Sequence, residues 1–194
     1  NAAGALLPGG IQDTGYAITG GPGTQPPFGI TISPNAGWTL TASSLSGWIG
    51  VGSRDALTGF YSYQQTFNLQ NFDHNTATIT GRYACDNSGQ IYINGTLVPG
   101  ADTVLGSGFS QWKSFTIPAG AGYFQAGNNS IEFRVYNNPT SFGPTSDTGL
   151  RVEMTGSATP LAVSWQTWQN AVNAAVSNPA ARTAIIALPS GDYD

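Results

Sequence analysis

The sequence predicts a mainly β protein: an antiparallel β-sandwich of the jelly-roll kind, with a short helical appendage at its C-terminal end. Segments rich in β-branched and aromatic residues recur about every 10 to 15 residues between positions 38 and 158, separated by clusters of Gly, Asn, Asp, Ser and Pro. Two of these segments alternate cleanly. Ile131, Phe133 and Val135 share one face, as do Leu150, Val152 and Met154, with Glu132, Arg134, Arg151 and Glu153 on the opposite faces. Beyond residue 159 the apolar spacing changes from two to the helical period, which argues that the sandwich ends there.

Residues 1–37 carry nine glycines and five prolines, with "TGGPGTQPPFG" in the middle. Proline removes ladder donors and glycine weakens strands, so this stretch is expected to be an extended arm with short edge strands near "TGYAIT" and "GITIS". "WTLTASSLSGWIGV" (38–51) offers a strand, a polar turn and a second apolar segment. "FYSYQQTFNL" (60–69) and "ATITGRYAC" (77–85) read as strands. "QIYING" and "TLVPG" flank Asn94-Gly95, a pair suited to a tight hairpin turn in which both central residues take positive φ. "WKSFTIP" (112–118), "NSIEFRVYNN" (129–138) and "TGLRVEMTGSA" (148–158) complete the set. About eight short strands with turn signals between them make a sandwich, of which the jelly roll is the favoured variant.

In the appendage, Ser164 is placed to cap a helix with Trp165, Trp168 and Val172 on one face. Asn178-Pro179 ends it and starts a second, which Pro189 stops. The expected division is an arm over 1–37, a β-sandwich over 38–158 and helices over 159–194. Trp165, Trp168 and Val172 are expected to dock the helix on the sandwich or on a neighbouring copy of the chain.

Composition narrows the partners. Hydrophobic residues are 40% of the chain and charged residues only 8%, against roughly 25% charged in average soluble proteins. Lys113 and five arginines stand against ten acids, so the net charge of -4 reflects scarce bases. Nucleic acid needs a basic footprint that this chain lacks, and the same scarcity argues against anionic lipid. A surface of amides and hydroxyls suits a neutral glycan, or packing against copies of itself. Cys85, the one cysteine, permits no intrachain disulfide and reads as a small buried hydrophobe. No apolar run is long enough to span a membrane. The opening "NAAGALLPGG" lacks Met, which suggests a processed chain or a fragment.

The order of segments "SGWIG", "GFYSYQQTFNLQNFDHNTATITGRYACDNSGQIYINGTLV", "FSQWKSFTIPAGAGYFQAGNNSIEFRVYNN" and "TGLRVEMTGSA" resembles the galactose-binding-like jelly-roll modules of secreted bacterial proteins. The likeness is to the variety often followed by a PEP-CTERM sorting tail, and it covers roughly residues 11–158. It implies a β-sandwich, secretion and a non-catalytic role. The final segment departs from that variety, with a Trp-bearing helix and no Pro-Glu-Pro signal. Asp86 and Asn87 match the family's recurrent Asp-Asn ahead of an "INGTLV" hairpin and are candidate ligand residues on that ground. Both also have a local reason to be there, because Asx side chains cap turns.

For chemistry the chain offers little. His74, the single histidine, falls in a polar turn, and one histidine with one cysteine excludes an all-protein zinc site. A structural calcium is the one cofactor considered, with Asp13 and Glu153 as candidate ligands because the ends of a jelly roll can meet at such an ion. Glu132 and Glu153 are more simply explained by exposed ion pairs with the nearby arginines than by glycoside hydrolysis. Aromatics remain: Trp48 and Trp112 read as core, whereas Tyr61 and Tyr63, on one face of one strand, are candidates to line a ligand groove.

These observations leave a non-catalytic extracellular or cell-surface protein. The leading reading is self-assembly or surface decoration through the terminal extensions. A carbohydrate-binding module for a neutral glycan is the alternative, and a virion surface or tail protein a further one.

Overall fold

The computed structural model describes residues 6–38, 45–103, 108–139 and 143–162, together with Gln166, Gln169, Asn170, Val172 and Asn173. The chain divides into two compact units, Asn1–Thr159 and Pro160–Asp194. In the second unit, Gln166, Gln169, Asn170, Val172 and Asn173 are helical. Gln166 donates to Asn170 at 3.3 Å and Gln169 to Asn173 at 3.2 Å, the i,i+4 spacing of a helix face. Val172 is half-buried, whereas Trp165 and Trp168 lie outside the described residues, as does the expected second helix.

The first unit is built from strands β1 (Gln12–Gly20), β2 (Phe28–Ile32), β3 (Trp48–Gly50), β4 (Asp55–Leu57), β5 (Gly59–Asn68) and β6 (Phe72–Asp86). These are followed by β7 (Ser88–Ile93), β8 (Thr96–Leu97), β9 (Lys113–Ile117), β10 (Asn128–Asn137), β11 (Thr145–Asp147) and β12 (Gly149–Pro160). Ten of them form one sheet in the order β8-β7-β10-β5-β1-β2-β3-β12-β6-β9, and β11 pairs with β4 in a small ribbon. Every pairing with a described register is antiparallel.

The long sheet curls into two layers. Phe133 on β10 meets Tyr83 on β6 at 5.4 Å and Phe115 on β9 at 6.0 Å between ring centroids, although these strands stand far apart in the sheet order. The core lies between the layers, filled by Tyr61, Tyr63, Ile91, Ile93, Ile131 and Val135 from one side and by Ile79, Tyr83, Ile117 and Leu150 from the other. Trp38 and Trp48 form a second cluster, their rings 4.3 Å apart. This is the mainly β sandwich that the residue pattern predicts.

Two departures concern position. The Gly/Pro-rich beginning is no separate arm: β1 and β2 lie in the middle of the sheet order, β1 between β5 and β2. Pro22, Pro26 and Pro27 fall in the connection between those strands and none within them, so Ile18, Ile30 and their neighbours keep their ladder donors. The register of β1 against β2 shifts between Asp13 and Ala17, the bulge that glycine-containing strands accommodate. The β4–β11 ribbon is the second departure, because three-residue strands carry too few side chains to show a period.

The Asn94-Gly95 turn forms as expected. Asn94 has φ 49° and Gly95 φ 80°, both in the left-handed region. Asn94 also ties the hairpin to β10: its Oδ1 accepts from the Ser130 amide at 2.8 Å, and its amide donates to Asn129 at 2.8 Å. The turn fixes the register of β7, and with it part of the site described next.

Candidate functional site

β5, β10 and β7 lie side by side with residues opposite one another, so one parity decides every side chain. Tyr61 faces Val135 and Tyr63 faces Phe133, and these pairs point into the core. The other parity points outward: Phe60 opposite Tyr136, Ser62 opposite Arg134, Gln64 opposite Glu132, with Gln90 and Tyr92 next on β7. The resulting face is aromatic and polar together.

Phe60 is 54% exposed, yet its ring lies 4.7 Å from that of Tyr136, inclined by 35°. Arg134 packs its guanidinium 4.1 Å from the Tyr92 ring centre and donates to both carboxylate oxygens of Glu132, at 3.1 and 3.3 Å. That hydrogen bond raises the Arg134 pKa above the usual arginine value, so the pair stays ionised and internally neutral. Tyr92 donates its hydroxyl to Gln90 at 3.1 Å. Between these groups lies an open depression of ≈ 420 Å³, bounded by Phe60, Ser62, Gln90, Tyr92 and Arg134 and on the β1 side by Gly20 and Gly21. Ligand sites commonly enclose about 300 to 1,000 Å³. The rim beside Gly21 stays low because a Cβ there would come 2.7 Å from the Tyr61 ring.

The residues named from sequence fall elsewhere. Tyr61 and Tyr63 are buried, at 1% and 0% exposure, and present no ring face to a ligand. The Tyr61 hydroxyl donates to the Leu57 carbonyl at 2.7 Å. This corrects the reading of the pair as groove-lining. They lie on strand β5 as expected, but the register sets them opposite Val135 and Phe133 of β10, on the core side. Asp86 is 4% exposed, and one of its oxygens accepts from the Trp38 indole at 2.7 Å. Burial pushes its pKa up to about 6 against the pull of that hydrogen bond. Asn87 accepts from the Asn138 amide at 2.6 Å and donates its own amide to the Tyr136 carbonyl at 2.9 Å. Both are engaged within the fold: Asn87 holds the end of β10 that carries Tyr136, and Asp86 holds Trp38 and, through its carbonyl, the Thr148 hydroxyl.

Asp13 and Glu153 do line one groove together, on a different part of the unit. Asp13 accepts from the Gly15 amide at 3.0 Å, and Glu153 accepts from Arg82 at 2.6 and 2.8 Å and from Ser46 at 2.7 Å. Among the described residues no three His, Cys, Asp or Glu side chains gather where they could hold a metal ion. Arg151, expected on an exposed face, is 1% exposed: it stacks 4.9 Å from Trp112 and donates to Ser46 at 2.9 Å.

Sequence reading missed Phe60, Tyr92, Arg134 and Tyr136. The signal was available in the alternation of β10, whose apolar set Ile131, Phe133 and Val135 marks the core parity. What carried no mark was which β5 residues stand opposite that set.

No protein-family model matches the chain, and no curated protein sequence matches it. Among solved structures, the chain is similar to a CBM35 from Paenibacillus barcinonensis, at 18% identity over 74% of this chain and 94% of that one, with a TM-score of 0.36. It is similar to the CBM36-1 domain of a multidomain xylanase from the hindgut metagenome of Trinervitermes trinervoides, at 15% identity over 74% and 94%, TM-score 0.35. A third is Xyl-CBM35 in complex with a glucuronic acid containing disaccharide, at 16% identity over 78% and 97%, TM-score 0.35.

Proposed function

We propose that this chain is a non-catalytic carbohydrate-binding module, that its ligand is a neutral glycan, and that it works outside the cell or at its surface. The observation that carries the reading is the exposed Phe60–Tyr136 pair beside Ser62, Gln90 and the Arg134–Glu132 pair. A pyranose ring has an apolar C–H face and a rim of hydroxyls. It needs a flat aromatic surface and, at its edge, planar donors and acceptors held still. Phe60 supplies the surface, and Ser62, Gln90 and Arg134 supply the edge. All stand on sheet strands, which hold side chains more rigidly than loops do. Because Arg134 is neutralised by Glu132, the site offers an uncharged ligand hydrogen bonds without a net ionic cost.

The exposed Phe60–Tyr136 face favours this reading over self-assembly or a virion role; of the residues expected to mediate assembly, Trp165 and Trp168 lie outside the described residues and Val172 is half-buried. The test is binding of a neutral glycan panel by array and isothermal titration calorimetry, comparing the native chain with Phe60→Ala. Binding that falls at least about tenfold in the variant is expected, as for loss of an aromatic anchor. Failure to bind any neutral glycan, or equal binding by both proteins, overturns the reading.

A further inference from the structure

We propose that the groove between β1 and β12 is a second glycan site, one that takes an extended stretch of neutral polysaccharide. The inference rests on the carbohydrate-binding reading and adds a separate surface to it. The groove encloses ≈ 1170 Å³, nearly three times the depression at Phe60. That is above the range of about 300 to 1,000 Å³ common for sites that hold one small molecule, and it fits a chain of sugar rings.

Its walls come from strands that part company. β3 meets β12 at the Ile49–Leu150 pair, beyond which β12 continues beside β6 and leaves Asp13 to Tyr16 of β1 facing Val152 to Thr155 across open space. Close approach of β6 and β12 on the far wall requires glycine at 81, where a Cβ would lie 2.5 Å from the Glu153 carbonyl oxygen.

The polar groups on these walls are the kind that read hydroxyls. Thr14, Ser33 and Ser114 line the groove with hydroxyls able to donate and accept, Thr80 and Thr155 line it with hydroxyls 3.4 Å apart, and the Thr31 hydroxyl is held by Pro8 and Ile11. The charges are engaged within the protein: Asp13 holds its own strand through the Gly15 amide, and Arg82 closes on Glu153 with two hydrogen bonds. An anionic ligand would face the Asp13 carboxylate and have to break the Arg82–Glu153 pair, whereas a polyhydroxyl ligand would leave that pair intact and donate to Asp13. Gln65 also lines the groove, and its carbonyl oxygen has no donor among the described residues, a cost that a ligand hydroxyl would relieve.

The experiment titrates cellohexaose, xylohexaose and mannohexaose into four forms of the whole chain: native, Phe60→Ala, Thr155→Trp and the double variant. Thr155 is exposed, so the bulky replacement obstructs the groove without entering the core. The native chain is expected to bind two equivalents of at least one hexasaccharide, each single variant one and the double variant none. Thermal unfolding of each variant verifies the fold. One equivalent in the native chain, abolished by Phe60→Ala and untouched by Thr155→Trp, overturns the second site and leaves the first standing. No binding of any hexasaccharide by the native chain overturns the second site, and failure across the whole neutral glycan panel overturns the first as well.

Discussion

Phe60 and Tyr136 stand opposite one another on adjacent strands, rings 4.7 Å apart, on the face of the sheet turned away from the core. A neighbour one residue away, Tyr61, is buried to 1% exposure against Val135. Two aromatic residues adjacent in the chain thus have opposite duties.

Replacing each with alanine separates those duties. Phe60→Ala removes mostly exposed surface and is expected to cost under about 1 kcal/mol of stability while weakening glycan binding at its own face at least about tenfold. Tyr61→Ala empties a core position and is expected to cost about 3 to 5 kcal/mol. Urea denaturation and calorimetric titration measure the two effects; a large stability loss from Phe60→Ala would contradict its placement.

Tyr63 is fully buried and its hydroxyl has no hydrogen-bond partner among the described residues. An unpaired buried hydroxyl carries a desolvation cost with no return, so Tyr63→Phe is expected to leave stability unchanged or raise it by about 1 kcal/mol. Glycan affinity should not move. A drop in affinity would return Tyr63 to the ligand site.

Asp86 makes stability depend on pH. Its pKa rises from the ordinary 3.8 to about 6 because burial disfavours the charged form. The folded state therefore binds a proton that the unfolded state has released. That contribution is full below pH 3.8, declines as pH rises toward 6 and is gone above it. Asp86→Asn, which keeps an oxygen for the Trp38 indole, is expected to flatten stability across this window and to raise the melting temperature at pH 7. Parallel melting curves for the two proteins from pH 4 to 7 check the sign; identical slopes would refute it.

Cys85 is buried to 0% exposure, and desolvation pushes its thiol up to about 12, with a neighbouring Thr103 hydroxyl 3.4 Å away. The thiolate is the reactive form, so iodoacetamide at pH 8 should leave the native protein unlabelled and label it promptly in denaturant. Mass spectrometry reads the difference, and rapid native labelling would disprove this account.

What the sequence by itself determined was most of the longer strands and, in β10, the two residue parities. The alternation of Ile131, Phe133 and Val135 with Glu132 and Arg134 follows from the period of two that every extended chain obeys. The Asn94-Gly95 turn follows from the need for positive φ, and the buried Cys85 from the chemistry of a lone apolar thiol. Composition likewise pointed away from nucleic acid, since six bases cannot make a basic footprint.

Only the tertiary structure decided which parity of β5 meets the core. Tyr61 and Tyr63 look no more apolar than Phe60, and the choice falls to the register that sets them opposite Val135 and Phe133. One residue of slip would exchange the buried and exposed sets. The same holds for the first 37 residues, whose glycines and prolines describe the connection but not the neighbours of the strands on either side. Side-chain period is local and legible in one segment, whereas pairing partner and sheet curl join residues far apart in the chain.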